Sequence, residues 1–234
     1  MLSERPEYND KVHIAILLMP VGDMPVLSTR SLGTRIFFNF VLNLMEYYKI
    51  VGSEALFLDE TNFRLHILRL CENAPHLFAW TLGMSSGPGL SMDINYICPQ
   101  AALQHGGTSM RTCLHTIQLF RKGEFRQLER GAKENQRVYG TSEPPLYNYT
   151  KITTPLAIYY SDLDEYSPGH VVRKMFPKFG GTLYSCLLEK NHHTEPLVGM
   201  LFGDMYNSQI LEVLDSATGR AGATKEKLHS KTCQ

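Results

Sequence analysis

The stretch Thr154-Pro155-Leu156-Ala157-Ile158-Tyr159-Tyr160-Ser161-Asp162-Leu163-Asp164 decides how this chain is read. Leu156 to Tyr160 is a run of apolar and aromatic β formers, entered through a proline and left through polar turn residues, as a short buried strand requires. Asp164 then falls just beyond a strand's C-terminal end, where open α/β sheets place their working residues. A second strand, Thr182 to Leu188, leads into Asn191-His192-His193-Thr194-Glu195. An acid after one strand and a histidine after the next suit a carboxylate that orients an imidazole as general base.

Working outward, Val12 to Met19 is almost continuously apolar and is stopped by Pro20-Val21-Gly22. It reads as a central parallel strand buried on both faces, with a short buried helix as the alternative. From about Pro25 to about Gly140 the pattern changes to amphipathic runs. Leu32 to Val51 spaces Ile36, Phe37, Phe40, Val41, Leu44, Met45 and Tyr48 at helical intervals; Asn62 to Cys71 and Ser109 to Arg121 do the same. Such stripes are more often core than binding surface. Gln127 to Tyr139 is polar and reads as a surface loop, and Tyr206 to Leu214 as an amphipathic closing helix. The fold class is therefore α/β. Residues 1–24 supply a core strand, 25–140 a mostly helical insertion, 141–215 the core segment with the Asp and His, and 216–234 a small, polar tail expected to be disordered.

With 234 residues, 43% hydrophobic, the chain is long enough to bury a sizeable core. Its formal net charge is zero, which gives no electrostatic case for nucleic acid or an anionic membrane as partner. No apolar run reaches transmembrane length, and the Met-Leu-Ser-Glu-Arg-Pro start has no charged-then-apolar leader. Cys71, Cys98, Cys113, Cys186 and Cys233 are odd in number and lack a Cys-x-x-Cys spacing, so neither zinc nor a dense disulfide framework is indicated. Asn148-Tyr149-Thr150 is an N-glycosylation sequon, relevant if the chain enters the secretory pathway.

Four pieces carry a family likeness: Pro-Pro-x-Tyr-Asn-x-Thr at 144–150, the Pro155 strand with its Asp turn, Asn191-His192, and Asp204-Met205-Tyr206. A fifth is the N-terminal Ser3-Glu4-Arg5-Pro6-Glu7-Tyr8-Asn9-Asp10-Lys11-Val12 with the strand that follows. In these the chain resembles the acid lipases of the α/β-hydrolase superfamily, which include gastric, lysosomal and insect members. The resemblance implies a partial α/β-hydrolase fold with the insertion as a cap, acyl esters of neutral lipids as substrates, no cofactor, and a secreted or lysosomal setting. It also implies a disulfide near Cys71, although the partner position, near Asn62, is not cysteine. In this registration the family's nucleophile, in Gly-His-Ser-x-Gly, and its oxyanion loop lie before Met1. The expectation is a C-terminal lipase portion that is catalytically incomplete. A non-catalytic lipid-binding or interaction protein derived from a lipase is the other reading, and no oligomeric state is implied.

A serine hydrolase needs a nucleophile, a base, an acid that holds the base, and oxyanion donors. Asp164 is the acid of choice, being the last Asp of its turn and the match to the family position, with Asp162 the alternate. His192 is preferred as base because it keeps the family's Asn-His and the ungapped distance to Tyr206. His193 is the alternate, because it puts Glu195 where the family carries an Asp two residues after its histidine. Gly83-Met84-Ser85-Ser86-Gly87 fits Gly-x-Ser-x-Gly, and the order Ser85, Asp164, His192 suits an α/β-hydrolase. His76 to Leu82 could supply the strand that the motif needs before it, but Gly87-Pro88-Gly89 is a poor start for a nucleophile helix, so Ser85 is a weak candidate. His105-Gly106-Gly107 reads as a turn before a helix. A metal held by Asp164, His192, His193 and Glu195 has no helical spacing behind it, and none is expected.

Overall fold

The computed structural model describes residues 1–26, 32–50, 55–56, 60–86, 93, 95–99, 108–181, 183–219 and 231–233. In chain order the elements are β1 (Ala15–Leu18), α1 (Leu32–Ile50), β2 (Ala55–Leu56), α2 (Glu60–Asn73), α3 (Pro75–Ser86), β3 (Thr108–Ser109), α4 (Met110–Lys122), α5 (Ala132–Tyr139), β4 (Leu156–Tyr160), α6 (Gly169–Met175), β5 (Leu183–Leu188), α7 (Glu195–Val198), α8 (Phe202–Thr218) and β6 (Lys231–Cys233). They fall into two compact units, one of residues 1–23 and 147–234, the other of 24–87 and 92–146.

The first unit is a parallel sheet in the order β1-β4-β5-β6. Strand β4 is central, and all five of its residues are buried. Alternation sends its side chains to two cores. Ala157 and Tyr159 join Tyr184, Cys186 and Leu188 of β5 against Phe202, Tyr206 and Val213 of α8. Leu156, Ile158 and Tyr160 face Val172 and Met175 of α6 on the other side. A parallel sheet with helices on both faces is the arrangement that uninterrupted apolar strands predict. The strand reading of Val12 to Met19 holds at Ala15–Leu18, which pairs with β4 from Ala15 opposite Leu156 to Leu18 opposite Tyr159, but the expected central position buried on both faces does not: among the described strands β1 pairs along one edge only, and its residues are half-buried or, at Leu18, exposed. In the tail expected to be disordered, α8 continues to Thr218 and Lys231–Cys233 pairs with β5; residues 220–230 and 234 lie outside the described residues.

Asn9 fastens the N-terminal turn to the start of β4. Its amide nitrogen donates to the carbonyls of Leu2, Pro6 and Lys151 at 3.1, 2.9 and 3.0 Å. Its oxygen accepts from the N–H groups of Thr153 and Thr154, both at 3.1 Å, and from the Thr154 hydroxyl at 2.9 Å. Just before β5, a Cβ at Gly181 would run into the backbone carbonyls of Thr153 and Thr154, so only glycine lets the chain turn into β5 there.

The second unit is mostly helical. Helix α4 is capped at its start by Ser109 Oγ, which accepts from the Thr112 N–H, and at its end by Gly123 at φ 74°. It buries Met110, Cys113, Ile117, Leu119 and Phe120, and the Phe120 ring lies 4.2 Å from that of Phe38 in α1. Cys71 is bonded to Cys98, 27 residues on, with 5.6 Å between Cα atoms, so the bridge the resemblance implied has a different partner. Two expectations need correction. Residues 132–139, read as surface loop, form α5, whose polar sequence hides a buried amide: Asn135 donates to Glu129 and to the Ser142 carbonyl, and accepts from the Arg130 N–H. Residues 76–82, which could have been a strand ahead of Ser85, are helical, entered through Pro75 at the first position.

Two predictions follow from the sheet unit. Asn9→Ala strands buried backbone donors and should cost about 3 kcal/mol, read as a lower urea midpoint at unchanged slope; an unshifted midpoint would show that the clamp is not used. Burial raises the hydroxyls of Tyr149, Tyr159, Tyr184 and Tyr206 above the usual tyrosine range. A raised folded value means that their contribution is whole below about pH 10 and is lost as pH climbs beyond it. Urea titrations at rising pH should show stability falling there, with tyrosinate absorbance from these residues appearing only on unfolding.

Candidate active site

Both candidate loops leave the carboxyl edge of the sheet from neighbouring strands, β4 and β5. After Tyr160 the chain turns sharply: Ser161 Oγ accepts from the Leu163 N–H at 3.1 Å. Asp164 Oδ1 then accepts from the N–H groups of Tyr166 at 2.7 Å and Ser167 at 3.0 Å. These bonds satisfy one oxygen of a fully buried carboxylate and leave Oδ2 to face the next loop. After β5, Lys190 takes a left-handed conformation at φ 60°, which redirects the chain. Asn191 anchors the new direction by donating to the Glu189 carbonyl at 2.8 Å and to the Tyr206 hydroxyl of α8 at 2.9 Å.

The two histidines that follow have opposite environments. His193 Nδ1 lies 2.9 Å from Asp164 Oδ2, and the ring stacks on Tyr166 with centroids 4.3 Å apart and planes 28° apart. A carboxylate oxygen can only accept, so Nδ1 carries the proton and the neutral ring keeps its lone pair on Nε2. The side chain is 23% exposed, against 0% for Asp164. His192 is wholly buried instead. Its Nδ1 accepts from the Thr194 N–H at 3.1 Å, which puts its proton on Nε2, 2.9 Å from Glu195 Oε2, though the carboxylate sits off the line of the N–H. The histidine the structure brings to Asp164 is thus His193, the alternate, and not His192.

The remaining candidates are placed as follows. Asp162 is tied to Arg173 of α6 at 3.0 Å and is half exposed. Ser85, in the sole Gly-x-Ser-x-Gly of the sequence, lies at the end of helix α3 rather than on a strand-to-helix turn. His105-Gly106-Gly107 lies outside the described residues. Asn148 is exposed, with its side-chain oxygen accepting from the Thr150 N–H at 3.0 Å and hydroxyl at 2.7 Å. Among the described residues no group of three or more His, Cys, Asp or Glu could hold a metal ion, and no helix is long and apolar enough to cross a membrane. Tyr166 and Thr194, which complete the surroundings of the two imidazoles, carry no sequence signal beyond their nearness to the Asp and His.

A buried carboxylate bonded to a partly exposed imidazole beyond the carboxyl edge of a parallel sheet lies where open α/β sheets place their working residues. No family model matches the chain. Known lipases do. It is 28% identical to Lipase 3 of Drosophila melanogaster over 180 residues, covering 75% of this chain and 45% of that protein. It is 28% identical to mouse Lipase member N over 165 residues, 68% of this chain and 41% of the relative. The bovine gastric triacylglycerol lipase is 26% identical over 200 residues, 82% of this chain and 48% of the relative. These matches support a family relationship with the acid lipases. The chain spans about half the length of the curated relatives it matches.

The contrast between the histidines is open to chemical test. Diethylpyrocarbonate acylates accessible, unprotonated imidazole nitrogen, so tandem mass spectrometry should find modification at His193 long before any at His192. Modification of His192 first, or of both together, would contradict the placement described.

Proposed function

We propose that Asp164 and His193 are the acid and base of a serine ester hydrolase acting on acyl esters of neutral lipids, in an α/β-hydrolase fold whose cap is the helical unit. The observation that carries the reading is the 2.9 Å bond between His193 Nδ1 and the buried Asp164 carboxylate. The lipase relationship supports the substrate class. In this reaction His193 Nε2 takes the proton from a serine hydroxyl as its oxygen attacks the acyl carbon. Asp164 steadies the resulting imidazolium, which then gives the proton to the departing alcohol. Water repeats the cycle to release the fatty acid.

The serine is proposed to come from outside these 234 residues, because Ser85 sits at the end of a helix and not on a strand-to-helix turn. By themselves the 234 residues are then incompetent for turnover. The same position of Ser85 also favours a second reading, stoichiometric binding of a lipid or fatty acid without hydrolysis. The setting proposed for either is secretory or lysosomal, with Asn148 glycosylated.

A serine-reactive fluorophosphonate separates these readings. The purified folded chain should take no label and should not hydrolyse tributyrin. In a longer product that includes an upstream Gly-His-Ser-x-Gly, His193→Ala should abolish labelling and turnover; full activity in that variant would remove His193 from the mechanism. Label on Ser85 that disappears in Asp164→Ala would overturn the placement of the nucleophile outside the chain. Saturable oleate binding by the unlabelled chain would establish the second reading.

A further inference from the structure

His192 is wholly buried one residue before the proposed base, and the reaction described above gives it nothing to do. Its ring bonds run to the two residues beyond His193. Nδ1 accepts the Thr194 N–H at 3.1 Å, and the Thr194 hydroxyl, 3.0 Å away, can only donate to the same nitrogen. An imidazole whose Nδ1 accepts carries its proton on Nε2, and Glu195 Oε2 lies 2.9 Å from that atom. A lone pair on Nε2 would be repelled by this oxygen, so Glu195 favours the tautomer that leaves Nδ1 as acceptor. The selection works through charge and needs no straight hydrogen bond. Glu195 is itself held in place. Its N–H donates to the His192 carbonyl at 3.1 Å, its carbonyl accepts the Gly199 N–H at 2.8 Å, and a Cβ at Gly199 would run into Oε1.

We propose that His192 and Glu195 are positioning residues for the base: Glu195 holds His192 in its Nε2–H form, and His192 Nδ1 pins the peptide that leaves His193, so that the His193 ring stays against Asp164. The Thr194 N–H belongs to that peptide, so the bond fixes ψ of His193. On the entering side Asn191 does the same work by donating to the Glu189 carbonyl and the Tyr206 hydroxyl. Lys190, at φ 60°, gives the loop a conformation that a residue with a Cβ resists, so the loop depends on such holds to keep its shape. The inference rests on reading Asp164 and His193 as acid and base, but the clamp itself is visible in the chain without turnover.

Long-range proton–nitrogen correlation spectra distinguish the two neutral tautomers of histidine. They are recorded on the full 234-residue chain, isotopically labelled at its histidine nitrogens, at about pH 8, above the ordinary histidine range. His192 should appear as Nε2–H and His193 as Nδ1–H; His192 in the Nδ1–H form overturns the proposal. His192→Leu fills the space without an acceptor, whereas His192→Asn places Oδ1 where Nδ1 stands. In His192→Leu the His193 Nδ1–H signal should be lost to the averaged spectrum of a free imidazole, and in His192→Asn it should persist. A ring that merely packs predicts the reverse, because Leu is the better apolar filler. Retention of the signal in both variants, or its loss in His192→Asn, overturns the proposal. If circular dichroism shows that His192→Leu does not fold, the wild-type tautomers and the Asn variant decide. In a longer product with an upstream Gly-His-Ser-x-Gly, His192→Leu should lower kcat about a hundred-fold at little-changed KM, the scale set by a base displaced by about an ångström. Unchanged turnover in a His192→Leu protein whose His193 signal is lost would remove His193 from the reaction and leave the clamp standing.

Discussion

Everything in the sheet unit depends on β4 being bonded along both edges and packed on both faces. Its five residues are divided by alternation between two helices, α8 on one side and α6 on the other, so any shift of register by one residue would exchange the two cores. That fixes where the strand ends. Asp164 is held relative to β5 because the turn that carries it begins at a residue with no freedom to slide.

The same constraint explains why Asp164 is buried and His193 is partly exposed. Asp164 receives its two backbone N–H donors from the turn it belongs to, so it can be buried at little cost, with one oxygen left over. The histidine loop is fastened below by Asn191 to Tyr206 and closed by the Glu195 N–H bonding to the His192 carbonyl at 3.1 Å. Successive side chains in so tight a turn point to opposite sides, and His192 takes the inner one beside Glu195. His193 is left facing Asp164.

How far the sequence reveals this follows from the kind of signal each element carries. β4 and Asp164 were legible because a five-residue apolar run bounded by proline and turn residues has one reading. The choice between His192 and His193 was not. Ungapped spacing to Tyr206 favours His192, but the residue that reaches Tyr206 is Asn191, and no count along the chain tells which of two adjacent imidazoles turns inward. Glu195 held the better clue to the histidine that meets Asp164, since it follows His193 by two residues, where the lipases that the sequence resembles carry an Asp after their histidine. Helix α5 was illegible for another reason. Its anchor is the buried Asn135, and an amide that makes three hydrogen bonds looks like any polar residue until its partners are placed.

The pairing of the strands also sets an order of closure. Ala15 of β1 lies opposite Leu156, 141 residues away, whereas Leu156 lies opposite Leu183 of β5, only 27 residues on. Closing the longer loop costs about 1.5 kcal/mol more in chain entropy, and it spans the entire helical unit. The two strands that carry Asp164 and His193 are therefore joined by the shortest closure in the sheet. Their contact can form as a local event, early in folding and independent of when the helical unit consolidates.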